Sequence, residues 1–268
     1  MEAPTLFGAH TVAPDTTSLS AYCPLPGVGL LPVNAFVIHA AEPILVDTGL
    51  MALREPFLAA LHSAIDPAAI RWIWISHMDA DHIGNIEEVM ALAPQAKVVT
   101  TFLGLGKMML RGLDIWRVHL LEPGEVIDAG DRRLVPLKPV CYDAPETMGF
   151  FDTRTRVLFA ADAFGTPLQA PQQVAAAIPE AELFDGMATW ASLDMPALGM
   201  CDRAAMSRLL AAVDRLDPSA IVSAHLPVAR DMTGRLLRVF DRVLDSGRIA
   251  APDYETLAGL AGPCALAA

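Results

Sequence analysis

No segment among the 268 residues reaches the roughly 18 uncharged apolar positions that a transmembrane helix requires. The N-terminus has no basic start followed by an apolar core, so no secretory signal is predicted. Internal repeats, low-complexity linkers and blocks of like charge do not occur. These absences favour a cytoplasmic protein with one domain over residues 1–268.

Cysteine is scarce and scattered, because the four cysteines are Cys23, Cys141, Cys201 and Cys264 and they form no CxxC pair. The sequence therefore predicts neither a zinc knuckle nor a dithiol redox motif, and reduced thiols are expected. A GxSxG nucleophile elbow is missing, which argues against a serine hydrolase of that type. No cysteine has a partner histidine at a recognisable spacing, so a cysteine hydrolase is not predicted either.

Basic residues are few: 19 Lys and Arg face 31 Asp and Glu, for a formal net charge of −12. Such a surface repels nucleic-acid phosphates and anionic membranes, so neither is an expected partner. Carboxylates that bind metal would leave the surface less negative than this count implies.

The apolar residues, 53% of the chain, follow strand and helix patterns in turn. The runs NAFVI (34–38) and PILVD (43–47) predict a hairpin, and apolar spacing over 53–65 predicts a helix. The other predicted strands are 71–76, 97–101, 133–137, 156–162 and 220–224, and the other predicted helices are 86–93, 204–216 and 233–244. Short strands and loops are expected over 1–32, a loop over 101–112, a loop-rich insert over 164–200 and a mostly helical part over 202–268. Interleaved strand groups and helices predict an α/β (α+β) protein with two mixed sheets flanked by helices.

The segment SHMDADHIGN (76–85) places four possible metal ligands within six residues, namely His77, Asp79, Asp81 and His82. Adjacent carboxylates in a partly desolvated loop are costly unless a cation compensates them. The alternative is a solvated Asp-rich turn with incidental histidines. The position of the motif between an apolar strand and a predicted helix favours metal binding.

Three further candidates also follow apolar strands, where a rigid scaffold presents functional groups. They are Asp47 in ILVDTG, Asp162 in VLFAADAFG and His225 in AIVSAHLP. Each is weak alone, because an Asp that opens a turn is more often structural and a structural histidine is as common as a ligand. The oxygens of Asp162 could bridge two cations.

In this order the four places resemble the metallo-β-lactamase superfamily, over about residues 30 to 245. The resemblance implies an αββα sandwich with metals at one edge between the sheets. HMDADH and ADAFG are similar to the oxygen-binding diiron domain of flavodiiron proteins, which has HxExDH and SDxFG. Asp79 stands where that family has glutamate.

The family also has a histidine about twenty residues before the strand-end aspartate, whereas this chain has none between His119 and His225. The family pattern placed on DAPETMGFFD (143–152) puts Asp143 at the histidine position. The neighbouring alternatives are Glu146, Cys141 and Tyr142.

The resemblance implies two metal positions that share Asp162. One ion would take His77, Asp79, Asp143 and Asp162, and the other would take Asp81, His82, Asp162 and His225. Asp47 would orient a ligand imidazole. Four carboxylates and three imidazoles favour iron, with manganese or zinc as alternatives.

Two reactions fit such a site. The first is a non-haem diiron-type oxidoreductase or O2/NO-binding protein, served by an external electron donor because no FMN phosphate loop is recognised and no flavin is expected in this chain. The alternative is a metal-dependent hydrolase of a lactone, thioester or phosphodiester, acting through a bridging hydroxide. The partner is then a small-molecule substrate or a diatomic gas. A homodimer is also expected, with the insert 164–200 covering the site.

Overall fold

Two mixed β-sheets lie face to face in the computed structural model, which describes residues 3–261. Cys264 lies outside the described residues. The first sheet contains, in spatial order, β1 (Thr5–Ala13), β2 (Thr16–Leu25), β3 (Gly29–Ile38), β4 (Ile44–Val46), β5 (Trp72–Trp74), β6 (Lys97–Thr100) and β7 (Val118–Leu120). The second contains β8 (Ile127–Asp128), β9 (Arg133–Leu137), β10 (Gly149–Asp152), β11 (Val157–Phe159), β12 (Ala220–Ser223) and β13 (Leu226–Arg230), in a spatial order that runs from β13 at one edge to β8 at the other.

Most of the helices pack against the outer faces of the two sheets. They are α1 (Arg54–Ala64), α2 (Ala80–Ile83), α3 (Ile86–Leu92), α4 (Phe102–Leu110), α5 (Glu180–Leu193), α6 (Arg203–Leu216), α7 (Thr233–Val243) and α8 (Tyr254–Ala261). Short 3-10 helices occur at Met51–Leu53, Pro67–Ala69, Ala175–Ala177 and Pro196–Met200. In the described part of the chain, no helix has the length and apolar character needed to cross a bilayer.

Alternation along the strands builds three apolar layers, because successive side chains point to opposite faces. In β5, Ile73 packs with Phe57 of α1 and Val89 of α3. Its neighbour Trp74 faces the other way and packs with Phe150 of the second sheet. A third layer joins the outer face of the second sheet to α5, α6 and α7. The αββα fold class predicted from the sequence is therefore confirmed.

The prediction for residues 1–32 was wrong, because β1 and β2 are long strands and not short strands separated by loops. β2 pairs with β3 at ten successive positions, from Thr16 opposite Ile38 to Leu25 opposite Gly29. The prolines and glycines of this region lie at turns and within strands near the sheet edge, where they do not prevent pairing.

The loop predicted over 101–112 was also wrong, since α4 occupies most of it. A Cβ at Gly104 would lie 2.1 Å from Oγ1 of Thr100. Gly104 thus permits a close approach inside a helix, and its backbone N–H donates to the Thr101 side chain that begins that helix.

Within 164–200, α5 forms a regular fourteen-residue helix, so this segment is less loop-rich than predicted. The part 202–268 contains the strands β12 and β13 besides its helices.

Candidate metal centre

The predicted ligands meet because two pairs of parallel strands end at one edge of the sandwich. β4 runs parallel to β5 in the first sheet, and β11 runs parallel to β12 in the second. The carboxyl ends of parallel strands meet at the same sheet edge, where α/β proteins place their ligands. Asp47 follows β4, His77 follows β5, Asp162 follows β11 and His225 follows β12.

Asp162 lies at the middle of this cluster, between three imidazoles. Its Oδ2 is 3.1 Å from Nε2 of His77. Its Oδ1 is 3.2 Å from Nε2 of His82 and 3.3 Å from Nε2 of His225. One carboxylate thus presents a different oxygen to each side of the site, which is the arrangement a bridging ligand needs.

The remaining predicted carboxylates fall into two groups, one on each side of Asp162. Asp81 places Oδ2 3.5 Å from Nε2 of His82 and 3.5 Å from Nε2 of His225. On the other side, ligand atoms of His77, Asp79 and Asp143 lie within 4.8 Å of one another. Atoms that share one cation at roughly 2.1 Å are about 3–4 Å apart, so each group matches a single metal position.

Hydrogen bonds at Nδ1 orient two of the imidazoles towards the centre. Nδ1 of His82 is 2.9 Å from Oδ2 of Asp47, and Nδ1 of His225 is 2.8 Å from the backbone oxygen of Pro32. The hydroxyl and backbone N–H of Ser76 donate to the two oxygens of Asp47, each at 2.8 Å. A ring that donates from Nδ1 keeps Nε2 free as a metal ligand.

The turn that holds Asp47 is bonded to the segment that holds His82. The backbone N–H of Thr48 donates to the His82 oxygen at 2.6 Å, and that of Gly84 donates to the Gly49 oxygen at 3.0 Å. The Asn85 side chain donates to the Thr48 oxygen at 2.7 Å. The DTG turn therefore fixes the position of the histidine that Asp47 contacts.

The unpaired atoms and the charges of the cluster fit a cation. Nε2 of His82 and Oδ1 of Asp162 are buried and lie 3.2 Å apart without the geometry of a hydrogen bond, and neither atom has another hydrogen-bond partner among residues 3–261. Burial would lower the pKa of His225, but the carboxylates of Asp162 and Asp81 raise it to about 9. Burial would likewise raise the pKa of Asp162, yet the three imidazoles hold it well below its usual range. A bound cation would stabilise the carboxylates where protonated imidazoles otherwise do so.

Asp143 is better placed than the three alternatives considered beside it. Glu146 is buried in an ion pair with Lys107, and Cys141 packs in the apolar layer under the second sheet, where burial raises the pKa of its thiol. Tyr142 is exposed. Oδ1 of Asp143 is 3.8 Å from Nε2 of His77, so the geometry favours Asp143 as the third ligand on this side.

We expect the variant Asp143→Ala to lose one metal equivalent and to keep the other. The reason is that Asp143 contacts the group around His77 and is absent from the group of Asp81, His82 and His225. Metal analysis of dialysed protein should therefore give a ratio near one per chain. Full occupancy of both positions would show that Asp143 is not a ligand.

For Asp47→Asn we expect binding about 10- to 100-fold weaker at the His82 position, since loss of a carboxylate that orients a ligand histidine has effects of that size. The amide nitrogen would face the Nδ1 hydrogen of His82 or the Ser76 donors. Calorimetric titration of the metal-free protein measures both affinities. Unchanged affinities, or equal losses at both positions, would contradict this role.

One acidic residue at the centre, Asp194, was missed by the sequence reasoning. It follows α5, and its carboxylate lies within 4.8 Å of ligand atoms of Asp143 and Asp162. Burial and the neighbouring charge of Asp162 raise its pKa to about 7. No local motif marks this position, which lies in a segment that was predicted to be loop-rich.

The fold and the cluster define a metallo-β-lactamase-fold protein with a candidate dinuclear metal centre. The chain belongs to the family described as ODP family beta lactamase, whose model matches residues 31–225. Flavodiiron proteins are among the solved structures similar to this chain, in agreement with the resemblance of HMDADH and ADAFG.

Two solved structures illustrate this similarity. Rubredoxin oxygen:oxidoreductase from Desulfovibrio gigas superposes with a TM-score of 0.78 at 20% identity, over 88% of this chain and 61% of that one. A fragment of putative diflavin flavoprotein A 5 from Nostoc sp. PCC 7120 gives 0.75 at 18% identity, over 91% of this chain and 98% of the fragment. At these identities the likeness establishes the fold.

Curated relatives match a shorter region. Putative diflavin flavoprotein A 2 of Nostoc sp. (strain PCC 7120) is 33% identical over 135 residues, which are 49% of this chain and 23% of the relative. The anaerobic nitric oxide reductase flavorubredoxin of Pectobacterium atrosepticum is 27% identical over 134 residues, 49% of this chain and 26% of the relative. The matched region thus spans about a quarter of these relatives.

Proposed function

We propose that the chain holds two iron ions and uses them to bind or reduce dioxygen or nitric oxide. The observation that carries this proposal is the position of Asp162 between the group of His77 and the group of His82 and His225. The names of two similar proteins, an oxygen:oxidoreductase and a nitric oxide reductase, support the choice of gas. An external donor would supply the electrons.

The donor set supports iron over zinc. The proposed ligands comprise four carboxylates and three imidazoles, and oxygen-rich sets suit harder ions such as iron and manganese. Non-haem iron supplies one-electron and oxygen chemistry when it is bound. The protein's part is to fix the imidazoles: Asp47 holds His82, and the Pro32 carbonyl holds His225.

The burial of the imidazoles also supports a protected centre. His77, His82 and His225 are each about 1% exposed, while Asp79 is exposed and Asp81 and Asp143 are half-buried. The carboxylate side of the cluster is therefore the side open to solvent. We propose that the small-molecule ligand approaches from there.

Metal quantification on protein made in unsupplemented medium tests this function, together with visible spectra before and after exposure to oxygen or nitric oxide. Two irons per chain and a gas-dependent band are expected. Two zincs per chain, with turnover of a lactone, thioester or phosphodiester panel, would contradict it and support the hydrolytic alternative. The redox chemistry is then measured as gas consumption with a chemical reductant.

A further inference from the structure

Two side chains reach the candidate metal centre from the end of α5: Trp190 lies in its last turn, and Asp194 directly follows the helix. The backbone N–H of Asp194 donates to the Trp190 oxygen at 2.9 Å, so the two residues lie one helical turn apart. The Trp190 ring lies 4.8 Å from the His225 ring, centroid to centroid. Gly165 permits this approach, because a Cβ there would lie 2.2 Å from Cδ1 of Trp190. The packing of Trp190 thus fixes where Asp194 stands.

The carboxylate of Asp194 lies where two other carboxylates converge. Asp143, Asp162 and Asp194 offer oxygens that all lie within 4.8 Å of one another. Oδ2 of Asp194 is buried and finds no hydrogen-bond partner within the part of the chain that the structure describes. The same holds for Oδ1 of Asp162, a residue that is only 2% exposed. Three converging carboxylates, two of which have an unpaired buried oxygen, are unfavourable unless a cation lies among them.

We propose that Asp194 is a further ligand of the metal ion on the His77 side. This inference rests on the proposed dinuclear centre and adds to it. That ion would be held by one imidazole and four carboxylates, namely His77, Asp79, Asp143, Asp162 and Asp194. The ion on the other side keeps two imidazoles, His82 and His225.

The two metal positions then differ in chemistry. Oxygen-only or nearly oxygen-only sites select hard cations, whereas imidazole suits zinc and other transition metals. The His77 position would therefore prefer Mn²⁺ or Fe²⁺ to Zn²⁺ more strongly than the His82 position does. Asp194 is the residue responsible for part of that difference.

The test uses Asp194→Asn in the full chain, with Asp185→Asn as the matched control. Asp185 lies exposed on the same helix and loses the same charge. Metal-free protein is titrated with Mn²⁺ and with Zn²⁺ by calorimetry. At the metal position beside His77, we expect Asp194→Asn to bind Mn²⁺ at least about 10-fold less tightly than wild type, with a smaller loss for Zn²⁺. Affinity at the position of His82 and His225 should not change.

Thermal melting separates a ligand from a merely structural residue. If Asp194 is a ligand, metal-free Asp194→Asn melts at or above the temperature of metal-free wild type, because a repelling carboxylate is gone. Its stabilisation by saturating Mn²⁺ is then smaller than that of wild type. A lower melting temperature without metal, together with the wild-type increase on adding Mn²⁺, would overturn the inference.

The failure of this inference is distinguishable from failure of the proposed function. Wild-type protein that binds fewer than two ions would overturn both. Wild type with two ions and Asp194→Asn with two ions at wild-type affinities and wild-type Mn²⁺/Zn²⁺ preference would overturn only the role of Asp194. If Asp194→Ala folds poorly, the asparagine variant, which has the same size, still decides the question.

Discussion

Asp162→Asn is expected to abolish tight binding of both metal ions, the largest effect that the structure predicts for a single side chain. Asp162 presents Oδ2 to His77 and Oδ1 to His82 and His225. An amide keeps one acceptor oxygen, loses the negative charge and turns its NH2 towards a metal position. The affinity should fall by more than the roughly 100-fold limit typical of residues that only orient a ligand.

Metal content after dialysis and calorimetric titration measure this loss, with Asp214→Asn on the exposed face of α6 as a charge-matched control. Wild type should also gain stability from its ions, about 2.7 kcal/mol for each ion when the free metal is 100-fold above that site's Kd. That gain should disappear in Asp162→Asn. Two ions bound at wild-type affinity would be incompatible with a bridging Asp162.

Gly84→Ala is expected to give the largest loss of stability. A Cβ at Gly84 would lie 2.3 Å from the backbone nitrogen of Met51 and 2.4 Å from the backbone oxygen of Gly49. Backbone atoms cannot move aside as a flexible side chain can, so the DTG turn must separate from the segment that follows His82. Overpacking of this kind costs about 1–3 kcal/mol or more.

Differential scanning calorimetry should show a melting temperature roughly 2–12 °C below wild type, since 1 kcal/mol corresponds to roughly 2–4 °C in a chain near this size. Metal affinity should fall as well, because Asp47 and His82 would no longer meet at 2.9 Å. Gly106→Ala is the matched control: no atom lies within 4 Å of its added Cβ, and alanine favours the helix. Equal melting temperatures for the two variants would contradict the steric argument.

These two variants test different properties of the same centre. Asp162→Asn tests the negative charge that is proposed to hold both ions, whereas Gly84→Ala tests the backbone contact that places Asp47 against His82. A protein that binds metal only through exposed acidic groups would respond to neither change in the expected way. Together they test whether this edge of the sandwich is a built metal centre.

Much of the candidate site could be predicted from the sequence because its residues follow apolar strands. Asp47, His77, Asp162 and His225 each come one to three residues after a strand end, and a strand is a local pattern that a sequence displays. Parallel pairing of two strand pairs then brings these positions to one edge. The structure places all seven predicted ligands there, and their binding of metal stays a prediction, as does the homodimer.

Other features depended on contacts between distant segments. The sequence left Asp143, Glu146, Cys141 and Tyr142 as alternatives, and their orientations separated them only in the folded chain. Glu146 pairs with Lys107 of α4, in a segment that was predicted to be a loop.

The sequence by itself determined the fold class, the strand-end positions of the candidate ligands and the predominance of carboxylates among them, because periodicity and motif spacing are local. Only the tertiary structure decided that Asp143 faces His77 and that the Asp194 carboxylate lies beside those of Asp143 and Asp162. Asp194 reaches the centre because Trp190 packs against His225 beside Gly165. That packing joins a helix, a loop and a strand end far apart in the chain, and no local pattern encodes it.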